Sequence, residues 1–135
     1  MSHFIGKWKH ERSENFEEVL VAAGVPWLAR KMMKTTSPVT EINVAEDGAW
    51  TLKLIVAVKT KVTTFKIDQV YEDTVGMSGT VKKFIAKLED GKLVIQFAEN
   101  PEEGMITTRE IVGDQLIMKL QFKDTVAHRY FRKVK

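Results

Sequence analysis

Apolar residues recur at helical spacing in one stretch of the chain. Phe16, Val19, Leu20 and Ala23 share one helical face. Asn15 precedes them as a predicted N-cap, and Glu18 stands where a capping box needs it. Gly24 ends this helix, because glycine accepts the left-handed conformation of a helix terminus. Pro26 suits the first position of a second helix. Trp27, Leu28, Met32 and Met33 supply its apolar positions, and Arg30, Lys31 and Lys34 its charge. Thr35, Thr36, Ser37 and Pro38 stop it. Before the helices, residues 4–11 read as a strand holding Trp8. After Val39 the period becomes that of strands, with short runs at 49–58, 80–88, 92–98, 105–112, 116–122 and 126–134. Asp47-Gly48 and Asp90-Gly91 are strong hairpin turns, and Gly113-Asp114 is another. Weaker turns are predicted at 59–61, 76–79, 100–104 and near Asp124. The pattern amounts to about ten strands at the spacing of a sandwich or barrel.

The alternation carries an anomaly. In the last run Ala127, Arg129 and Phe131 share one face, opposite His128, Tyr130 and Arg132. In the run before Gly113, Thr107, Arg109 and Ile111 share a face, opposite Thr108 and Glu110. An arginine therefore interrupts each partly apolar inner face. Burying an unpaired guanidinium costs on the order of several kcal/mol. Either these strands are misassigned, or the interior contains water and an acidic partner. A meander of this length can close on itself and enclose a cavity, with the two helices over one mouth.

Composition narrows the picture. The 135 residues form a single predicted domain, 1–135, with 44% hydrophobic and 29% charged residues. Absence of cysteine excludes disulfides and cysteine-ligated zinc. The opening MSHFIGKWKHERS lacks the apolar core of a secretory signal, and the longest apolar run, 54–58, is too short to span a bilayer. A cytoplasmic protein is expected. The net charge of +3 fits a solvated surface or a patch facing an anionic partner. His3, His10 and His128 are far apart and make no metal pattern. No Walker loop, dinucleotide fingerprint, G-x-S-x-G or paired-His motif occurs. No catalytic residues, metal or cofactor are therefore expected.

Several stretches taken together resemble a known family. They are Phe4-Ile5-Gly6-Lys7-Trp8-Lys9, Ser13-Glu14-Asn15-Phe16-Glu17-Glu18, Gly24-Val25, Arg30-Lys31 and Pro38. Thr64-Phe65-Lys66, Val81-Lys82, Asp90-Gly91-Lys92-Leu93, Thr108-Arg109-Glu110 and Arg129-Tyr130-Phe131 continue the series. Their order and spacing resemble the intracellular lipid-binding proteins, fatty-acid-binding proteins above all, over essentially the whole chain. The resemblance implies an all-β fold: a ten-stranded antiparallel up-and-down β-barrel of the calycin type, clam-shaped, with a helix–turn–helix lid. It also implies a monomer that reversibly carries a long-chain fatty acid in a water-containing cavity.

Arg109 and Arg129 match the family's carboxylate-binding arginines. Phe131 stands where the family often has a hydroxyl-bearing aromatic, and Tyr130, one residue off, should face outward. Phe16, Val25, Met33, Met118, Leu120 and Phe131 are expected along the cavity. Each buried methylene of the ligand contributes about 0.8 kcal/mol. Trp27, Arg30, Lys31, Lys34, Val58 and Met77 are expected at the portal, where the basic lid could touch anionic membranes. The turn 75–79 lacks the family's usual Asp and Arg, and the turn 100–104 is longer than usual. Arg30 and Lys31 match part of a nuclear-import patch whose third position here is Val21. A carrier of retinoic acid or another hydrophobic carboxylate is the same-class alternative. A nucleic-acid-binding module is the different-class one, disfavoured because the aromatics alternate inward.

Overall fold

The computed structural model describes residues 2–57, 59–75 and 79–134. Ten strands make one antiparallel sheet: β1 (Gly6–Glu14), β2 (Val39–Val44), β3 (Ala49–Val56), β4 (Lys59–Lys66), β5 (Val70–Val75), β6 (Thr80–Glu89), β7 (Lys92–Phe97), β8 (Ile106–Val112), β9 (Gln115–Phe122) and β10 (Thr125–Val134). Two short helices, α1 (Phe16–Ala22) and α2 (Trp27–Thr35), interrupt the chain between β1 and β2. The strand order is β4-β3-β2-β1-β10-β9-β8-β7-β6-β5, so the first strand pairs with the last and the sheet curls into a nearly closed barrel. This is the predicted ten-stranded architecture with its helical lid.

β4 and β5 are consecutive in sequence, yet they are the two ends of the ladder and do not pair. Side chains close that seam. Phe65 stacks on Tyr71 at 5.2 Å, Thr63 Oγ1 donates to Asp73 Oδ2 at 3.3 Å, and Lys61 Nζ reaches Asp73 at 3.4 Å. Lys61 Nζ also donates to the Thr74 carbonyl at 3.2 Å. The stack belongs to a longer belt of aromatic rings, Phe4, Trp50, Phe65, Tyr71, Phe84 and Phe97, each within ring contact of the next. Offset and tilted rings of this kind favour one another beyond simple area burial.

The two ends of the barrel differ. At one end a 3-10 turn, Ser2–Phe4, touches β2 and β8 on separate walls. Phe4, Trp8, Ile42, Trp50, Leu93, Leu116 and Phe131 are buried together there as a solid plug. The Trp8 indole donates to the Phe4 carbonyl at 3.0 Å, so burying its N–H costs little. At the other end α1 lies on β9 and β10, where Val19 packs on Leu120 and Ala127. Between the ends, inward positions such as Tyr71, Phe84, Ile95, Thr107 and Met118 are only half-buried. That combination describes a barrel sealed at one end and less filled in the middle.

Several local expectations change. Residues 4–11 are not one strand, because Phe4 lies in the 3-10 turn and β1 runs on to Glu14. Asn15 precedes α1 but forms no side-chain cap. It takes a left-handed conformation (φ 60°), and its Nδ2 donates to the Val126 carbonyl at 2.9 Å, fastening the strand-to-helix corner to β10. Pro26 sits one residue outside α2, in extended conformation. No turn occupies 59–61, since β4 begins at Lys59. A turn at Asp68, with φ 64°, separates β4 from β5 without a glycine to announce it.

Gly104 follows the 3-10 turn Pro101–Glu103 and presses on Phe97, where an added Cβ would come within 2.5 Å of the ring. Phe97 is held in turn by Phe84 at 5.2 Å. Gly104→Ala is therefore expected to destabilise the fold by about 1–3 kcal/mol, as overpacking does. Equilibrium urea denaturation checks this, with the shift appearing in the midpoint rather than the slope.

Candidate functional site

Register brings the two interior arginines into one row. Arg109 on β8 faces Met118 on β9, Met118 faces Arg129 on β10, and Arg129 faces Ser13 on β1. Directly opposed residues project to the same side of a sheet. With neighbouring strands about 4.8 Å apart, the two arginine backbones stand about 10 Å from each other, with Met118 between. Leu93 on β7 faces Arg109 and extends the row on its other side.

Each guanidinium is enclosed. Burial pulls the pKa of both from 12.5 to about 10, which still leaves them cationic at neutral pH. Both side chains nevertheless remain partly uncovered. Partial exposure of inward-pointing groups is what unfilled space inside the barrel would give. Among the described residues no carboxylate forms an ion pair with either. The acidic partner offered above as one resolution of the anomaly is not found there.

The two stations are built differently. Arg109 has only a long contact from Nη1 to Thr107 Oγ1, at 3.5 Å. It lies close enough to Tyr71 for each to feel the other's charge. Burial, then the Asp73 carboxylate, pushes the Tyr71 hydroxyl up to about 12, so it stays protonated and can donate. Arg129 is held more firmly. Its Nε–H donates to Ser13 Oγ at 3.0 Å, and its guanidinium lies 4.1 Å from the centre of the Phe16 ring. Held by one nitrogen and one face, the group can turn its two terminal nitrogens elsewhere. Ser13 also lies 2.8 Å from His10 Nε2, and the His10 ring meets Phe131 edge-on at 5.5 Å.

A β-bulge makes this possible. His10 pairs with Phe131 and Arg12 with Tyr130, so Glu11 is the extra residue. Trp8 and His10 face inward by simple alternation, which would turn Ser13 outward. The inserted residue flips the phase, and Ser13 reaches Arg129.

The remaining predicted site residues are distributed as follows. Phe16 and Met118 are half-buried beside the arginines, while Leu120 and Phe131 are buried in the packed clusters. Tyr130 points outward and donates to Glu14 Oε1. Val25 is half-buried after α1, and its carbonyl accepts from Arg30 Nη1 at 2.8 Å. Arg30 Nε also approaches Glu17 at 3.8 Å, and Lys34 pairs with the same carboxylate at 3.1 Å. Two of the three lid cations thus clip α2 to α1. Lys31 lies over the Trp27 ring at 5.3 Å. Trp27, Leu28 and Met32 are exposed by 62%, 57% and 52%, Met33 is exposed as well, and Ala29 is buried. Val58 and Met77 lie outside the described residues.

Comparison with known proteins fits this geometry. The chain is 30% identical over 134 residues to fatty acid-binding protein type 2 of Fasciola hepatica, covering 99% of this chain and 100% of the relative. The chain belongs to the fatty-acid-binding protein family. It is 33% identical over 129 residues to sodium/calcium exchanger regulatory protein 1 of Doryteuthis pealeii, covering 96% of this chain and 95% of that one. A solved REP1-NXSQ fatty acid transporter superposes with a TM-score of 0.89 at 29% identity, covering 100% of this chain and 98% of the other. No family model matches. Fatty-acid-binding proteins are lipid carriers and not enzymes. No described helix of this fatty-acid-binding protein is long and apolar enough to cross a membrane.

Sequence reasoning missed His10, Ser13 and Tyr71 as members of the site. Parity with Trp8 could have found His10. Ser13 depends on the bulge, and Tyr71 on the curvature that carries β5 round to Arg109.

The His10 ring supports a pH prediction. Burial lowers its pKa below the ordinary 6.5, the Arg129 charge lowers it further, and the Arg12 backbone opposes both. The unfolded chain therefore binds more protons than the folded one between the lowered value and 6.5. This contribution to stability is full above pH 6.5 and is lost as pH falls through that window. Urea titrations from about pH 7.5 to 5 should show a steeper loss for the native protein than for His10→Leu.

Proposed function

We propose that this protein reversibly carries long-chain fatty acids, with the carboxylate between Arg109 and Arg129 and the acyl chain against Phe16, Met118 and the aromatic belt. The observation that carries this reading is the pair of enclosed guanidinium groups without a counter-charge among the described residues. An anion entering their row would receive forked, charge-assisted donors and would offset two buried charges at once. The backbone separation of about 10 Å leaves room for a carboxylate that both long side chains can reach. The half-buried apolar positions around the row suit a flexible acyl chain, whose many methylenes supply most of the binding energy. Relatives and structural neighbours named as fatty acid-binding proteins and a fatty acid transporter support the same ligand class.

The lid supports delivery by contact. Exposed Trp27, Leu28 and Met32 on α2, with Lys31 beside Trp27, form an amphipathic surface suited to an anionic membrane. Arg30 and Lys34 contribute less than their number suggests, since Glu17 shares their charge. The protein would act as a monomer in the cytoplasm, shuttling between membranes.

Arg129→Ala is expected to weaken oleate binding about tenfold or more, while oleyl alcohol loses much less. Fluorescent-probe displacement measures both, and equal losses would remove the head-group role. Including retinoic acid as a competitor separates the two carboxylate classes. Arg109→Leu should weaken oleate similarly yet stabilise the empty protein by about 1–4 kcal/mol, because it removes a buried unpaired charge. A destabilised Arg109→Leu protein would show that the guanidinium is already compensated. Transfer of a fluorescent fatty acid to vesicles should accelerate with anionic lipid content, and Trp27→Ala should blunt that response.

A further inference from the structure

His10 has no part in the reading above, yet its hydrogen bonding is incomplete. Its Nε2 lies 2.8 Å from Ser13 Oγ, and its Nδ1 is buried without a hydrogen bond of ordinary geometry, although the Arg12 backbone acts on the ring as a hydrogen-bond acceptor. Ser13 Oγ already accepts the Arg129 Nε–H at 3.0 Å. A hydroxyl has one proton to give. If Ser13 donated to His10 Nε2, the neutral imidazole would carry its own proton on Nδ1, as a buried orphan donor. If the imidazole proton sits on Nε2, His10 donates to Ser13 and only a lone pair is orphaned. Buried orphan N–H groups are the rarer of the two in folded proteins. The second arrangement is the one this count favours, with Ser13 Oγ accepting from both neighbours. Its own O–H is then free to donate a third time, beside the terminal nitrogens of Arg129.

The surroundings of the ring define its charge response. Arg129 on β10 is the charged side chain that disfavours a second proton on His10, and the Arg12 backbone on β1 favours one. Phe131 on β10 covers the ring edge-on. The residue before β2 meets His10 through its backbone, as His10 N–H donates to the Pro38 carbonyl at 3.0 Å. No carboxylate forms an ion pair with His10 among the described residues. A ligand anion on Arg129 would thus be the first negative charge His10 meets.

We infer that His10 is a positioning residue that turns the Ser13 hydroxyl toward the anion held by Arg129, and that seating this anion draws a proton onto His10. The inference rests on the carrier reading of the same site. The ligand offsets the Arg129 charge, which after burial is the second cause that keeps the imidazole neutral, and the proton comes from solvent to Nδ1, where the Arg12 backbone favours it. By linkage, affinity for the anion rises as pH falls through the window between the His10 values of the bound and empty protein. Because Ser13 donates to the head group, it adds to the preference for acids over alcohols of the same length.

The test uses hexadecanesulfonate, whose head group stays ionised and cannot itself take up the proton. Calorimetric titrations near pH 6.5 in phosphate and in imidazole, buffers of different ionisation enthalpy, report net proton exchange. The native protein should take up about a few tenths of a proton per sulfonate bound, and none on binding hexadecanol. Its sulfonate affinity should rise about two- to fivefold from pH 8 to pH 6. His10→Leu should abolish both effects. His10→Gln keeps an N–H for Ser13 but does not titrate, so it should abolish the uptake while losing less affinity than His10→Leu. Ser13→Ala should weaken sulfonate several-fold and hexadecanol little. Tight sulfonate binding without proton uptake, or uptake that persists in both His10 variants, overturns the inference and leaves the carrier reading standing. Failure of the native protein to bind sulfonate and oleate alike overturns both.

Discussion

Two guanidinium groups sit inside an apolar barrel with no carboxylate of the described chain paired to them, and a fold can hold such groups only at a cost in stability. The rest of the molecule provides that stability. Phe4, Trp8, Ile42, Trp50, Leu93, Leu116 and Phe131 are buried in one cluster, and its indole N–H on Trp8 is satisfied. The ladder from β4 round to β5 supplies continuous backbone pairing. The buried cluster lies next to a row of inward positions that keeps two charges and is only half-buried. The arrangement resembles other binding sites in that local stability is sacrificed where a ligand must do what the chain leaves undone.

The bulge at Glu11 shows how small a change sets the site's chemistry. One extra residue in β1 places the Ser13 hydroxyl opposite Arg129, where plain alternation would place the Arg12 guanidinium, and it does so on the strand that pairs with the barrel's last. Glu11 itself points outward and is held by Arg132, with Nε and Oε2 2.8 Å apart. Arg132 also grips Asp114 at 2.8 Å. The outer surface thus fastens the irregularity that the inner surface uses.

Much of this was legible in the chain. The strand period, the hairpin turns and the two amphipathic helices lead to a barrel with a lid, because each depends on local patterning. The inward placement of Arg109 and Arg129 followed from parity, and so did the outward placement of Tyr130. What escaped were features that local pattern does not encode. The Asp68 turn carries no glycine, and the bulge has no composition of its own. Asn15 has the residue type of a helix cap but spends its amide on β10, and Tyr71 meets Arg109 only because the sheet curves. The wrong turn at 59–61 came from a cluster of lysines and threonines that in fact forms an edge strand, where charge and exposure are normal.

That edge strand has a further significance. An unpaired β-edge is ordinarily a template on which another molecule can add a strand, and this barrel has two of them. Here each edge looks at the other across a seam held by Phe65, Tyr71, Thr63, Asp73 and Lys61. The wall can therefore widen at this line without breaking a single rung of its ladder. The same few side chains that hold this line closed also shield its raw edges from neighbouring molecules, so loosening them would invite self-association as well as easier entry.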